Sequence, residues 1–531
     1  MEKNEITQEI KGAQCVMGIE FGSTRIKAVL INSQFEPVAS GSFEWENSLE
    51  NGIWTYPLEL IEKGLQSCYA DLKRAVREQF GVVLTSLKSL GISAMMHGYI
   101  ALDSKDKFLV PFRTWRNTVT AQASRELSGL FSFPVPERWT ISHLYQAILN
   151  NEAHVADIRS LCTLASYIHF RLTGEKNIGT GDASGMFPID SKTGTYRTDF
   201  LGQFESLIAA RNFSWKTEQL LPHVLPAGKN AGFLTESGAR LLDPEGDLHS
   251  GIPLCPPEGD AGTGMAATNS VRKRTGNISA GTSVFAMAVL EKDLASSYPG
   301  IIDIVTTPDG LPVAMVHANN CTSEINSWIY FFEDVLQTAG LKAQRSVLFD
   351  SLILKSLEAQ KDCGNLLAYN YHSGETITGF SSGRPLFVRG ENAQFTAANF
   401  MRVQMFTALG ALRSGMDILF EKENVQIESM AGAGGYFKTE AGLKYMAAAL
   451  HTPVSAMETA GEGGPWGMAL LASYMQDGGG ASLAEFLDKS VFSSCKKTVS
   501  SPEKELEESF TIFYERYKKG LAIERAAVES I

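Results

Sequence analysis

Two stretches of the chain end an extended run in a glycine followed by two hydroxyl residues. One is "IEFGSTRIKAVLI", with Gly22-Ser23-Thr24 at its turn; the other is "ISAGTSVFAMAVL", with Gly281-Thr282-Ser283. A hairpin needs only a glycine or an asparagine to turn. Backbone N–H groups in tight glycine turns also form concavities that bind anions. The hydroxyls of Ser23, Thr24, Thr282 and Ser283 can add donors, and Arg25 or Lys27 can add charge. One such turn is unremarkable. Two copies, each opening one half of the chain, suit a polyphosphate held between two domains.

A third glycine-rich stretch is "MAGAGGYFK", where Gly432, Gly434 and Gly435 follow a strand and precede a helix. Glycines there let a ligand approach the backbone, or only let a strand and helix pack. "ETAGEGGPWGMALLA" has the same ambiguity. The candidate for proton chemistry is Asp260 in "PPEGDAGTGMAA". It reads both as a helix N-cap and as a carboxylate able to take a proton from a hydroxyl. His97, in "GISAMMHGYIALD", lies at a strand's end, where α/β proteins place ligand contacts. Trp115, in "PFRTWRNT", can fill a core or, beside Arg116 and Asn117, pack against a polyol. Strand alternation sends Ile19 and Phe21 to one face and Glu20 to the other.

These residues need elements to hold them. A chain of 531 residues is too long for one core, so two large domains are expected. The net charge of −12 argues against a nucleic-acid partner. Seven scattered cysteines without a Cys-x-x-Cys read as reduced thiols of a cytoplasmic protein. The polar, acidic N-terminus does not read as a signal peptide, and no apolar run has the length of a membrane span. After the first hairpin come an extended run over 36–45, a helix in "YPLELIEKGLQSCYADLKRAVREQF" with Pro57 in its first turn and Gly81 at its end, and a strand in "SLKSLGISAMM". "IPLCPP" is a strand before the small-residue helix that Asp260 opens. In the second half, "CTSEINSWIYFFEDVLQTAG" and "FMRVQMFTALGALRSGMDILFEK" are helices, the second buried, and "VQIESMAGAGG" is a strand. The expected domains are 14–270, 271–480 and a peripheral helical tail over 481–531.

Together these motifs resemble the FGGY carbohydrate kinases of the sugar kinase, Hsp70 and actin superfamily, over roughly residues 14 to 475 and in that family's order. "GIEFGSTRIKAVLI" is similar to the first phosphate motif and "MMHG" to the sugar loop of the xylulokinase branch. "PFRTWRN" is similar to the segment after that loop and "EGDAGTGMA" to the catalytic segment. "ISAGTSVFA" is similar to the second phosphate motif and "AGAGGYFK" to the adenosine motif.

The resemblance implies an α/β fold of two actin-like (ribonuclease H-like) domains, each a mixed sheet with flanking helices, and an active site in the interdomain cleft. The N-terminal domain would bind sugar and the C-terminal domain nucleotide. Asp260 would be the general base. Met96, His97 and Trp115 would contact the sugar with it. Gly22, Ser23, Thr24, Lys27, Gly281, Thr282, Ser283, Gly434 and Gly435 would bind ATP, and Glu20 with Asp260 would hold Mg2+. Glu20 stands where the family has aspartate, and Met95 where a polar residue is usual. The expected reaction is ATP-dependent phosphorylation of the terminal hydroxyl of a ketopentose, L-ribulose or xylulose, to its 5-phosphate in pentose catabolism. Glycerol or a hexulose as acceptor, and a non-catalytic sensor on the same fold, are the alternatives. The expected partners are sugar and ATP, with neither nucleic acid nor membrane, and a homodimer is allowed.

Overall fold

The computed structural model describes residues 1–457, 463–493 and 495–531. The chain divides into two compact units. The first comprises Met1–Val271, Ile304–Val313 and Glu462–Cys495; the second comprises Arg272–Asp303, Ala314–Gly461 and Lys496–Ile531.

The first unit is built on a five-stranded sheet. Its strands are β1 (Val16–Phe21), β2 (Arg25–Ile31), β3 (Pro37–Glu44), β4 (Ser89–Ala94) and β5 (Glu258–Gly259), in the order β5-β4-β1-β2-β3. β1, β2 and β3 are antiparallel neighbours, while β4 runs parallel to β1 and β5 parallel to β4. The alternation read for β1 holds: Ile19 and Phe21 are fully buried and Glu20 is only partly so. The helix Leu58–Phe80 packs Ile61, Leu65, Leu72 and Val76 into the core. It stops at Gly81, whose φ of +70° is a left-handed conformation that favours glycine. "IPLCPP" itself contributes only isolated bridges, from Pro253 to Phe233 and from Leu254 to Leu90; the strand forms just after it.

The second unit carries β6 (Thr275–Ala280), β7 (Val284–Val289), β8 (Ile302–Thr306), β9 (Pro312–Ala318), β10 (Ser429–Ala433), β11 (Val454–Met457) and β12 (Lys497–Ser500). They lie in the order β8-β9-β7-β6-β10-β11-β12. The first strand of the hairpin again has an antiparallel partner on one side and parallel strands beyond the other: β6 pairs antiparallel with β7 and parallel with β10, which pairs parallel with β11. The helix Ala397–Asp417 is buried along nearly its whole length, as its apolar faces predict.

Two expected domain limits are corrected. Residues 304–313 and 462–495 belong to the first unit, not the second. The helix Gly463–Asp477 lies on β1 and β4, where Gly18 and Gly91 leave room for it. A Cβ on Gly18 would stand 2.1 Å from the Pro465 carbonyl oxygen, and one on Gly91 2.6 Å from Met468 Cε. Nor is the C-terminal tail peripheral. The helix Lys504–Ser530 buries Phe510, Phe513, Tyr514 and Tyr517, with Phe510 and Phe513 against Phe406 of the helix Ala397–Asp417. Its charges occupy one face and hide an aromatic stripe on the other. Among the described residues no helix is long and apolar enough to cross a membrane.

Candidate active site

The first glycine turn joins β1 to β2, with the Gly22 N–H donating to the Arg25 carbonyl at 3.0 Å. Its other carbonyls are held by aromatic residues. Trp45 Nε1 donates to the Gly22 oxygen at 2.7 Å, the Tyr56 hydroxyl to the Ser23 oxygen at 2.6 Å, and the Trp45 N–H to the Thr24 oxygen at 3.2 Å. Ser23 and Thr24 are exposed. With the carbonyls engaged on one side, the hydroxyls and the N–H groups of Ser23 and Thr24 suit an anion. Arg25 pairs with Glu44 on the neighbouring strand. Lys27 lies directly across the ladder from Glu20.

The second turn joins β6 to β7 and repeats the arrangement. The Gly281 N–H donates to the Ser283 carbonyl at 2.9 Å. The Gly281 oxygen accepts from the Thr322 N–H at 3.0 Å and its hydroxyl at 2.7 Å, and the Thr282 oxygen from the Cys321 N–H at 2.9 Å. The third glycine cluster divides. Gly434 has a φ of +101°, and a Cβ on it would stand 2.4 Å from the Ala280 carbonyl oxygen. Packing of β10's end against β6 explains it without a ligand. Gly435 borders open space. Of the fourth stretch, residues 458–462 lie outside the described residues.

Asp260 opens the helix Asp260–Ala267, but Gly259 is its N-cap. The capping reading of Asp260 is therefore corrected. Its Oδ1 instead accepts from the Met96 N–H at 3.0 Å, joining the Met-His-Gly loop to the candidate base across 164 residues of sequence. One side of Asp260 meets solvent while protein displaces the water around the rest. That loss of hydration raises its carboxyl above the ordinary range, against the Met96 N–H and the Arg138 charge, which pull it down.

Glu20 is the second carboxyl. Burial, then the charge of Asp260, push it up to about 7, with Lys27 acting the other way. A Cβ on Gly464 would stand 2.1 Å from Glu20 Oε1. The carboxyl thus lies against the first turn of the helix Gly463–Asp477, the positive end of its dipole. Among the described residues no group of three or more His, Cys, Asp or Glu side chains could hold a metal. Mg2+ commonly takes only one or two carboxylates and completes its shell with phosphates and water. The Glu20 and Asp260 pair suits that chemistry, since the Asp260 charge opposes ionisation of Glu20 and a bound cation would offset it.

His97 is 6% exposed, has a φ of +75°, and its Nδ1 has no hydrogen-bond partner. Burial, and then the Arg138 charge, hold its imidazole neutral. The Nδ1 nitrogen faces Gly185, where a Cβ would stand 2.6 Å from it. Trp115 does not fill a core: it is 41% exposed. Asn117 is structural, its side chain bonding both the N–H and the carbonyl of Trp54 at 2.9 Å.

Three nearby residues escaped the sequence reading. Arg138, in "PERWT", influences both Asp260 and His97 from a stretch that offers no motif. Asp182 and Glu258 are buried, and each is raised first by burial; the Asp182 charge adds to Glu258 and the Asp260 charge to Asp182. Glu258 Oε1 accepts from the Gly259 N–H at 2.9 Å. Their signal was the glycines that give them space: a Cβ on Gly181 would stand 2.5 Å from Glu258 Oε1.

Comparison with known proteins gives the family. The model of the FGGY family of carbohydrate kinases, N-terminal domain, matches residues 15–260, and that of the C-terminal domain matches residues 276–476. The chain is 23% identical over 520 residues to a xylulose kinase from Haemophilus influenzae, covering 94% of this chain and 98% of the relative. Among solved structures, the ligand-bound xylulose kinase from Lactobacillus acidophilus shares the fold with a TM-score of 0.76 and 16% identity, over 97% of this chain and 99% of its own. A gluconate kinase from the same organism does so with a TM-score of 0.77 and 17% identity, over 96% and 98%. Both halves of the chain being matched in order, the chain belongs to the FGGY family of carbohydrate kinases, phosphotransferases with an alcohol group of a sugar as acceptor.

Proposed function

We propose that the protein is an ATP-dependent ketopentose kinase with xylulose as its acceptor and the 5-phosphate as product. Family membership implies ATP as donor. Asp260 takes the proton of the terminal hydroxyl as it attacks the γ-phosphoryl group, and its raised pKa makes it a stronger base for that task. Met96, His97 and Trp115 hold the sugar. Gly22, Ser23, Thr24 and Lys27 in the first unit and Gly281, Thr282 and Ser283 in the second take the phosphates, with Gly435 toward the adenosine. The acceptor is positioned and the developing charge is met by N–H groups already in place, which is most of what phosphoryl transfer asks of a protein. Glu20 and Asp260 would hold Mg2+, which supplies charge neutralisation on the transferring group when bound.

The observation that carries this reading is the bond from the Met96 N–H to Asp260 Oδ1. It fixes the base relative to the loop that the resemblance assigns to the sugar. The xylulose kinase relative supports the acceptor, while the equal fold match to a gluconate kinase shows that fold does not choose it. The test is acceptor-dependent ATP consumption with D- and L-xylulose, D- and L-ribulose, glycerol, gluconate, rhamnulose and fuculose. The highest kcat/KM is expected with a xylulose. A higher value with another acceptor overturns the substrate, and consumption indifferent to every acceptor overturns the kinase reading.

A further inference from the structure

The aromatic residues behind the first glycine turn connect to a second place in the same unit. Tyr56 is 1% exposed, and its hydroxyl donates to the Ser23 carbonyl at 2.6 Å. The Tyr56 hydroxyl oxygen accepts from Asn47 Nδ2 at 3.4 Å, and Asn47 Oδ1 accepts from Arg116 Nη1 at 2.8 Å. Arg116 follows Trp115 in sequence, and its guanidinium lies 3.9 Å over the Trp54 ring. An unbroken chain of hydrogen bonds therefore runs from the Trp115 segment to the turn. Apolar contacts reinforce it: Tyr56 stacks on Trp45 at 4.1 Å between centroids and on Phe112, three residues before Trp115, at 6.5 Å. Asn117 clamps both backbone polar groups of Trp54, two residues before Tyr56.

We propose that Tyr56 is a positioning residue for the phosphate turn and that the chain Arg116–Asn47–Tyr56–Ser23 ties this turn to the acceptor segment. The proposal rests on reading Gly22–Thr24 as a phosphate turn. A buried tyrosine hydroxyl needs some acceptor, but here the acceptor is the central carbonyl of a turn whose neighbouring side chains are exposed. Holding that carbonyl fixes the peptide plane that it shares with the Thr24 N–H, so the N–H direction is set by Tyr56. Arg116, at the exposed end, can sense what packs on Trp115 without touching the turn.

The test is titration calorimetry of a nonhydrolysable ATP analogue into the full chain, with thermal melting as a folding control. Tyr56→Phe keeps the ring stack and removes both hydrogen bonds of the hydroxyl, to Ser23 and from Asn47; its Kd is expected to rise about 3- to 10-fold. Arg116→Ala, on an exposed side chain that folding tolerates, is expected to raise it about 2- to 5-fold. The double variant is expected to bind no more weakly than Tyr56→Phe, because residues acting through one chain are not additive. A merely structural tyrosine would lower the melting temperature and leave Kd unmoved, and that result overturns the proposal, as do losses that multiply in the double variant. Gly22→Ala separates the two readings. If it weakens binding and Tyr56→Phe does not, the positioning role alone falls. If neither weakens binding, the phosphate turn falls with it.

Discussion

The two glycine turns share a backbone and differ in what surrounds it. Each links two antiparallel strands, closes on a bond from its glycine N–H, and has its carbonyls engaged by donors from elsewhere in its own unit. In the first turn those donors are mostly the side chains of Trp45 and Tyr56; in the second they are Cys321 and Thr322. The charge differs more. Two residues before its glycine the first turn has Glu20, across from Lys27; the second has Ser279, across from Phe285. The two turns share a shape, and Glu20 with Lys27 stands at the first where Ser279 with Phe285 stands at the second. A phosphate cradle needs backbone geometry, whereas proton and metal chemistry need charge, so the second function can be added to one copy alone.

The largest test of that asymmetry is Asp260→Asn. Charge is removed while size and the acceptor for the Met96 N–H are kept, so the melting temperature is expected to hold and kcat to fall by about 10²- to 10⁴-fold. Wild-type turnover would move the base elsewhere. Next comes the matched pair Glu20→Ala and Ser279→Ala. The first is expected to lose most activity and to change the dependence of initial rate on Mg2+, the second to stay within about 2-fold, the range of an ordinary surface change. Equal effects would erase the distinction between the turns.

A smaller contrast lies in the glycines. A Cβ on Gly22 would stand 2.9 Å from the Arg25 carbonyl oxygen, while one on Gly281 would meet nothing within 4 Å. Gly22→Ala is thus expected to lower the melting temperature and Gly281→Ala to leave it unchanged, with the ATP KM raised in both because a ligand must come close. An unchanged KM in Gly281→Ala would remove the second turn from the nucleotide site. The smallest effect is expected from Thr322→Val, which deletes the hydroxyl bond to the Gly281 oxygen and leaves the N–H bond. An increase of about 2- to 5-fold in ATP KM, with sugar KM unchanged, would mirror the tyrosine of the first turn.

The sequence alone determined the features that repeat over short distances. The hairpins, the helix that stops at Gly81, the buried helix read in "FMRVQMFTALGALRSGMDILFEK" and the turn of Glu20 away from the face of Ile19 and Phe21 all follow from periods of two or 3.6 residues and from glycine at a chain reversal. Tertiary structure decided what depends on residues far apart in the chain. It gave the Asp260 carboxyl a partner in the Met96 N–H, far away in the chain. It set Glu20 against Gly464, brought Arg138 within electrostatic reach of Asp260 and His97, and assigned Trp45 and Tyr56 to the turn they hold. It also moved the helix Gly463–Asp477 to the first unit and gave the C-terminal helix a buried face in the second. Local periodicity shows which face of a helix or strand is apolar, but not which surface will cover it. That choice rests on small residues such as Gly18 and Gly91 leaving space for a partner hundreds of residues away, and no pattern within a short window carries it.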